Sequence, residues 1–328
     1  MKKLFVVIIL LVLLLPLAFA VFSGGVDSLS GDFLRQNKAL NQSLVTAWGH
    51  VNGLVGDSGS QQVVKGTAGW LYFREALSDS IHVNSMTPDE IQALADSIAA
   101  LSEQLAQTGT RFVLLIAPDK AAAHPEHLPY HVQPGNLADT NRARLITLLR
   151  ERGVTAPDLA DVLIEQDTYL ATDTHWNAYG AYLAFEAMLS ALEMPNPYRF
   201  IKKDFTIPAP APGDLVPLYL PLEKDKQQDL LPDLPRIYRS QRPPRSLDDL
   251  VIETTGDPQS PGLFIARDSF GRAFFPYAAN YASLLRFVRG YENFLDQARG
   301  FDIAVLLIAQ RSLGGLQAAL FDTGYKER

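Results

Sequence analysis

Apolar residues recur at helical spacing in several stretches of the chain. Between residues 87 and 109 they occupy positions 91, 94, 98, 101 and 105, which places them on one face of a helix. Thr87 is a good N-cap, Pro88 suits the first turn, and Gly109 is a typical residue to end a helix. Similar patterns predict helices over residues 136–153 and 178–192, and a further one over residues 32–54.

Other stretches are short and almost continuously apolar, which is typical of strands buried on both faces. They predict strands in segments 111–118, 262–270, 283–290 and 301–310, a turn and short strand in 63–73, and a short strand and turn in 154–163. Because strands alternate with helices, we expect one α/β domain over residues 61–328, with a mostly parallel sheet and helices on both of its faces. Ligands should bind at the carboxyl ends of its strands.

Two regions differ in composition from the rest of the chain. Residues 23–60 are polar and punctuated by Gly and Ser, and they form a linker or a first helix. Residues 195–250 hold many of the prolines, so we expect an irregular insertion that serves as a lid or as binding loops.

The N-terminus is a basic pair followed by an apolar run. Lys2 and Lys3 precede the apolar residues 4–22. As a signal peptide, residues 1–22 would be cleaved after the small-x-small triplet at 18–20, whereas an uncleaved segment 4–22 is just long enough to span a bilayer. Both interpretations put the rest of the chain outside the cytoplasm, in a bacterial periplasm, either free or anchored to the inner membrane.

Composition excludes several classes of function. The chain has 328 residues, of which 47% are hydrophobic and 20% charged, as in ordinary globular proteins. A net charge of −7 and the lack of a basic stripe give no electrostatic support for a nucleic-acid partner. The absence of cysteine excludes disulfides, cysteine-based zinc sites and thiol catalysis.

A serine lies between a strand and a helix in the segment IARDSFGRAFFPY (265–277). Ser269 follows the strand directly, and the helix is expected to begin near Arg272. Backbone N–H groups at such a helix start are free to bind an oxyanion, which suits a nucleophilic serine. In the alternative interpretation, Asp268 or Ser269 merely caps the helix.

The segment ATDTHWNAYGAYLAFEAM (171–188) contains the partners that a nucleophilic serine needs. His175 is a candidate general base, and Asp173 is a candidate to orient its imidazole. In the alternative, Asp173 or Asn177 caps the next helix and His175 lies on the surface. The two segments together favour a Ser–His–Asp site, because both fall in loops between strand and helix.

No metal site and no cofactor are predicted. His124 and His127 flank Pro125 and Glu126, and a proline in that spacing argues against a regular pair of helical ligands.

The Asp-His and Ser segments resemble the two catalytic blocks of the SGNH-hydrolase-like alginate O-acetyltransferases, the AlgJ/AlgX family. Two further segments are similar to blocks of that family, namely VVKGTAGWLYF (63–73) and LLIAPDKAAAHPEHLP (114–129). The four blocks occur in the family's order and span residues 63–271.

The resemblance implies a three-layer SGNH-type α/β fold with permuted blocks, so that Asp-x-His precedes Ser. By matching position it implies Ser269 as nucleophile, His175 as base and Asp173 as its partner. It implies acetyl transfer to hydroxyls of an exported polysaccharide, with a membrane-bound O-acyltransferase as acetyl supplier and a polysaccharide biosynthesis and secretion complex as further partners. The same chemistry with water would make an acetylesterase, and a catalytically silent scaffold of such a complex is a third possibility.

The chain departs from the family pattern at two points. His124 replaces a frequent Tyr, and Gln310-Arg311 replaces a frequent Glu-Arg. The chain also ends soon after the last predicted strand, so we expect no C-terminal carbohydrate-binding module.

Contacts to the oxyanion and the substrate remain open at this point. The backbone N–H of Ser269 is one expected oxyanion donor. Trp70 either stacks on a sugar ring or packs in the core. The candidates for a second donor or for substrate contacts are Gly271, Gln310, Arg311, Trp176, Tyr72 and Lys120.

Overall fold

The computed structural model describes residues 37–83, 85–164, 166–240 and 242–321. The predicted signal peptide or anchor, and the first residues of the helix predicted from residue 32, lie outside the described residues. Within these ranges, no helix is both long enough and apolar enough to cross a membrane.

The described chain contains nine strands and eleven α-helices. The strands are β1 (Val63–Lys65), β2 (Leu71–Phe73), β3 (Arg111–Ala117), β4 (Phe205–Pro210), β5 (Gln228–Pro232), β6 (Val251–Thr255), β7 (Gly262–Arg267), β8 (Leu284–Arg289) and β9 (Ile303–Ala309). The helices are α1 (Lys38–Gly53), α2 (Arg74–Ser80), α3 (Pro88–Ala106), α4 (Lys120–Ala123), α5 (Asn141–Glu151), α6 (Ala160–Leu163), α7 (Ala178–Ala191), α8 (Val216–Tyr219), α9 (Gly271–Tyr281), α10 (Phe294–Ala298) and α11 (Leu313–Phe321). Short 3₁₀ turns cover Pro125–His127, Leu137–Asp139, Lys202–Asp204 and Gln310–Ser312.

A five-stranded sheet forms the centre of the fold, in the order β3-β9-β7-β8-β6. The first four strands are parallel, and β6 pairs antiparallel with β8 at one edge. The predicted α/β class with a mostly parallel sheet is therefore confirmed. Strand β6 was not predicted, because its residues alternate between buried and exposed instead of forming an apolar run.

Helices cover both faces of the sheet, as predicted. Successive strand residues point to opposite faces, so Leu115 packs with α7 and α9 while Leu114 packs with α3, α5 and α11. This arrangement makes two hydrophobic cores around one sheet. It leaves the carboxyl ends of β3, β9 and β7 together at one edge.

The predicted element boundaries hold with small shifts at the ends. Helix α3 begins with a capping box, in which Thr87 and Glu90 exchange hydrogen bonds, and it ends just before Gly109, whose φ is +80°. The strand predicted in 154–163 is wrong. In that stretch Thr155 O accepts a hydrogen bond from Leu114 N of β3, and the chain then forms the short helix α6.

The insertion at 195–250 is more ordered than its proline content predicted. Strands β4 and β5 pair as an antiparallel hairpin, with Pro208 and Pro210 on its exposed edge strand. The hairpin packs against α7, and the chain between its strands runs alongside the loop that precedes α7. The insertion thus lies directly beside the predicted catalytic residues.

Candidate active site

Ser269 lies in a tight turn between β7 and α9, here called the nucleophile turn (residues 267–271). Asp268 shapes this turn, because its carboxylate accepts hydrogen bonds from Phe270 N (2.9 Å) and from Ala309 N (2.7 Å) at the end of β9. Helix α9 has no side-chain cap, so neither Asp268 nor Ser269 serves as the helix N-cap. There is no room for a side chain at Gly271, since a Cβ there would lie 2.7 Å from Arg267 side-chain atoms.

His175 lies in the loop that precedes α7, here called the base loop (residues 168–176). Asn177 follows this loop and caps α7, with its side chain accepting a hydrogen bond from Gly180 N (2.9 Å). An isolated β-bridge between Tyr169 and Trp176 closes the loop. His175 therefore sits at the helix N-terminus without being its cap, and its side chain is only 14% exposed.

The structure brings the three predicted catalytic side chains into one hydrogen-bonded chain. His175 Nε2 lies 2.7 Å from Ser269 Oγ, and His175 Nδ1 lies 2.6 Å from Asp173 Oδ1. A carboxylate can only accept, so Nδ1 carries the proton and Nε2 is left to accept from the serine hydroxyl. This is the geometry required of a nucleophile, its base and the group that orients the base.

The environment keeps Asp173 ionised. Burial alone would raise the pKa of its carboxyl, but hydrogen bonds from the imidazole and backbone N–H of His175 and from the Asp214 backbone lower the pKa below its usual value. A charged Asp173 is the form that can stabilise an imidazolium.

Lys120 is buried beneath the base loop and anchors it. Its Nζ donates to the carbonyls of Leu170 (3.0 Å), Ala171 (3.0 Å) and Asp173 (2.6 Å), and the residue is 4% exposed. Burial lowers the pKa of this ammonium to about 7, although the nearby carboxylates of Asp173 and Asp214 act in the opposite direction. The predicted role of Lys120 in substrate binding is therefore corrected to a structural one.

Two predicted sugar-stacking residues are buried in the core. Trp176 and Tyr72 are each 1% exposed, so neither offers a ring face to a ligand. Trp176 Nε1 instead donates to Phe270 O (2.9 Å) and ties the base loop to the nucleophile turn. Tyr72 Oη donates to His124 O (2.6 Å). Sequence pattern alone cannot distinguish an aromatic side chain that is exposed in a site from one that is buried under it.

Two predicted oxyanion donors are already engaged. Gly271 N donates to Asp268 O within the turn (3.2 Å). The Gln310 amide is buried, donating to Asp79 Oδ2 (2.6 Å) and accepting from Asp119 N (3.3 Å). In the described part of the chain, nothing accepts a hydrogen bond from Ser269 N, which leaves that group free for an oxyanion.

Arg311 is the remaining candidate for the second donor. Its half-buried guanidinium lies 5.3 Å from the centre of the Phe270 ring, which in turn packs against the His175 ring at 4.8 Å. Arg311 and Gln310 also border a cavity of about 640 Å³, whose other lining residues include the acidic Glu75, Asp79 and Glu90. Near Arg311, burial raises the pKa of the Asp119 carboxyl to about 8, although the positive charge of Arg311 acts to lower it.

Trp70 is half-buried and lies on the other side of the base loop. It stacks on His127 at 4.3 Å and lines a cavity of about 250 Å³ together with Tyr169 and Tyr179. Its ring also faces His124 at 4.7 Å, so the two histidines form an aromatic cluster with Trp70.

Sequence reasoning missed Asp214. This residue lies within the insertion, 39 residues from His175, and its carboxylate Oδ2 is 3.6 Å from His175 Nδ1. Its sequence context, PGDL, carries no motif that marks a catalytic neighbour. Only the folding of the insertion onto the base loop reveals it.

Comparison with known proteins identifies the family. Residues 63–270 match the family described as "SGNH hydrolase-like domain, acetyltransferase AlgX". The chain belongs to this family. The four blocks of the resemblance lie within that range or at its edge, and the SGNH-type fold expected from them is confirmed.

Curated relatives agree with the assignment. The chain is 26% identical over 268 residues to a "Probable alginate O-acetylase AlgJ" of Azotobacter vinelandii, covering 77% of this chain and 65% of that protein. It is 27% identical over 217 residues to the protein of the same name from Pseudomonas syringae pv. tomato, covering 64% of this chain and 52% of that protein. The chain thus spans about half to two thirds of the length of these relatives.

Two solved structures share the fold. Bacillus cereus PatB1 superposes with a TM-score of 0.55 at 15% identity, over 76% of this chain and 96% of that chain. The O-acetyltransferase domain of Pseudomonas putida AlgJ superposes with a TM-score of 0.50 at 20% identity, over 80% of this chain and 95% of that one. At these identities the likeness concerns the fold alone.

Proposed function

We propose that this protein is an exported polysaccharide O-acetyltransferase that works through an acetyl-Ser269 intermediate. The observation that carries the proposal is the hydrogen-bonded chain Asp173–His175–Ser269, with contacts of 2.6 and 2.7 Å at the carboxyl ends of the sheet strands. Membership of the AlgX-type family and the O-acetylase names of the curated relatives support acetyl as the transferred group.

The first half-reaction acylates the serine. Ser269 Oγ attacks the acetyl carbonyl carbon of the donor while His175 Nε2 takes the hydroxyl proton. The negative charge on the carbonyl oxygen is met by Ser269 N–H and the Arg311 guanidinium. His175 then returns the proton to the leaving group of the donor, and acetyl-Ser269 remains.

The second half-reaction transfers the acetyl group to a sugar. A sugar hydroxyl loses its proton to His175 Nε2 and attacks the acetyl carbon. The bond to Ser269 Oγ breaks, and the serine takes back the proton from the imidazolium.

The partners and the location belong to the same proposal. We expect the body of the protein in the periplasm, where a membrane-bound O-acyltransferase supplies the acetyl group and a polysaccharide biosynthesis and secretion complex supplies the polymer. Because the relatives are named alginate O-acetylases, an alginate oligosaccharide is the first acceptor to test.

Ser269→Ala tests the serine mechanism directly. Purified wild-type protein should release acetate from a chromogenic acetyl ester and acetylate an added oligosaccharide, as measured by mass spectrometry. The variant should lose at least about 10³-fold in both activities, because no residual nucleophile remains. Polymer acetylation restored in a deletion strain by Ser269→Ala would refute the mechanism.

The same assay separates transferase from esterase. Water and a sugar hydroxyl attack the same acetyl-serine, so the catalytic residues are common to both reactions. Acetate release with no acetylated oligosaccharide, across several acceptors, would assign the site to an acetylesterase. Absence of both products in the wild-type protein, with the polymer still bound, would favour a scaffold.

A further inference from the structure

Asp214 approaches the candidate base from the side opposite to Ser269. Its carboxylate Oδ2 lies 3.6 Å from His175 Nδ1, the nitrogen that also donates to Asp173. The Asp214 backbone N–H donates to the second carboxylate oxygen of Asp173 at 3.0 Å. One residue of the insertion thus touches both members of the Asp173–His175 pair.

Thr174 connects the Asp214 charge to the imidazole. Asp214 accepts hydrogen bonds from Thr174 N (2.8 Å) and from Thr174 Oγ1 (2.7 Å). The hydroxyl proton of Thr174 is therefore directed at Asp214, and its oxygen lone pairs face His175 Nδ1 at 3.1 Å. Three oxygen atoms, from Asp173, Thr174 and Asp214, surround the protonated ring nitrogen.

The backbone around Asp214 is fixed to the base loop. Leu215 N donates to Thr172 O (3.2 Å), and Gly213 N donates to Asp225 Oδ2 (2.7 Å). A Cβ on Gly213 would lie 2.0 Å from Thr172 O, so a side chain there would force the two segments apart. These backbone contacts hold residue 214 beside His175, so its position does not depend on the hydrogen bonds of its own exposed side chain.

We propose that Asp214 is a positioning residue for His175, holding the Asp173–His175 pair in place and stabilising the imidazolium that forms when Ser269 attacks. The inference rests on the acetyl-transfer function proposed above. The insertion would then take part in the chemistry through Asp214, which completes the set of groups around His175. This role differs from that of a lid.

A metal ion is the rival explanation for two carboxylates around one imidazole. Ligand atoms of Asp173, His175 and Asp214 lie within 4.8 Å of one another. However, the Asp173 oxygen and the His175 nitrogen are 2.6 Å apart, a hydrogen-bond distance that a shared cation would have to open. The geometry favours a proton between these two groups.

The pH dependence of the site reflects several charges besides Asp214. Lys120 lies beneath the loop, Asp268 shapes the facing turn, Arg311 lies across the Phe270 ring, and Asp229 interacts electrostatically with Asp173. Replacing Asp214 by Asn removes one negative charge from this set while keeping the side-chain shape.

The test compares Asp214→Asn with Asp204→Asn in the full-length protein, using kcat and KM for a chromogenic acetyl ester across pH. Both residues lie in the insertion and the carboxylate of each accepts a backbone hydrogen bond, but the bond to Asp204 comes from Ile201 N (2.8 Å), outside the base loop. For Asp214→Asn we expect kcat to fall about tenfold with KM unchanged, because a partly exposed charge at this distance acts on the transition state with moderate strength. The acid limb of its pH profile should move to lower pH, since the protonated ring loses a stabilising neighbour.

For Asp204→Asn both the rate and the acid limb should stay as in the wild type. An unmoved acid limb in Asp214→Asn, or equal shifts in both variants, would overturn the inference. Loss of wild-type activity in EDTA, restored by Zn²⁺, would overturn it in favour of a metal site. Ser269→Ala is measured in parallel, because full activity in that variant would refute the proposed function and not Asp214 alone.

Discussion

The two halves of the candidate site are held in place by different kinds of contact. The nucleophile turn is fixed by the sheet, since it continues β7 and its Asp268 bonds to the end of the neighbouring β9. The base loop consists of turns, and its shape depends on side chains from distant parts of the chain. Those side chains are Lys120 beneath it, Asp214, Asp225 and Gln227 in the insertion, and Trp176 reaching Phe270.

This difference indicates in which half of the site the loss of a side chain should do more damage. A parallel strand pair holds the turn at its end through many backbone hydrogen bonds, so these still hold the turn when one side chain is lost. A loop held by a few buried side chains loses its shape when one of them is removed. We therefore expect changes in the base-loop contacts to cost more activity than changes in the nucleophile turn.

Among the contacts that hold the two halves of the site in place, the largest effect is expected for Lys120→Met. The change leaves the carbonyls of Leu170, Ala171 and Asp173 without their shared donor, and we expect a loss of about 3 kcal/mol in the free energy of unfolding. The rate of acetyl-ester hydrolysis should fall at least about 100-fold, because Asp173 would no longer be held against His175. Urea unfolding and kcat/KM measure the two effects.

Lys202→Met is the matched control for this prediction. Lys202 is an exposed lysine paired with Asp167 at 3.1 Å, so its loss should change stability by less than about 0.5 kcal/mol. If Lys120→Met were as stable and active as this control, the base loop would not depend on its buried anchor.

A smaller effect is expected for Asp268→Ala in the nucleophile turn. Phe270 N and Ala309 N lose their acceptor, which should lower the free energy of unfolding by about 2 kcal/mol. Because the strand ladder still holds the turn, ester hydrolysis should fall about tenfold, less than in Lys120→Met. Asp268→Asn keeps one carbonyl oxygen and should lie between the wild type and Asp268→Ala in both measurements. A larger loss of activity in Asp268→Ala than in Lys120→Met would reverse the comparison.

The smallest effect concerns pH and involves Asp119, the residue before the base-loop anchor. Burial raises the pKa of its carboxyl to about 8, so the folded protein keeps a proton that the unfolded chain loses near pH 4. The stability contributed by this proton is fully present below about pH 4 and is lost as pH rises towards 8. In Asp119→Asn, the free energy of unfolding should therefore decrease less between pH 4.5 and 6 than in the wild type.

That range avoids the titration of Lys120, whose lowered pKa of about 7 acts with the opposite sign at higher pH. Urea unfolding at three pH values gives the slope, and the exposed Asp233→Asn serves as control. Equal slopes in Asp119→Asn and the wild type would mean that Asp119 is ionised in the folded protein.

The sequence predicts the nucleophile half of the site better than the base half. An apolar run followed by Asp-Ser and a helix already specifies a turn at the end of a buried strand, and the structure has it there. The Asp173–His175 pair was found through its spacing and through the family resemblance. Sequence patterns do not reveal the contacts that hold the pair, because Lys120, Asp214 and Asp225 lie 39 to 55 residues away from it. Two of them, Asp214 and Asp225, lie in the insertion, whose hairpin carries no apolar period.

Residue type alone also misled the assignment of substrate contacts. Trp176, Tyr72, Lys120 and Gln310 are the kinds of residue that bind sugars or oxyanions, and all four are buried and occupied by internal hydrogen bonds. A polar group inside a protein must find a partner, so its chemistry is used by the fold. Burial, which depends on the tertiary structure, decides between these two uses.

Strand β9 has a consequence for the order in which the chain becomes active. Among the described strands, β3 pairs with β9 alone, and β9 is the last strand in the sequence. Until residues 303–309 have been synthesised, β3 and Lys120 have no place in the sheet beside β7. The base loop and the nucleophile turn are therefore brought together by a strand that is synthesised after both of them. A chain cut before β9 would carry all three proposed catalytic side chains and still lack the sheet that aligns them.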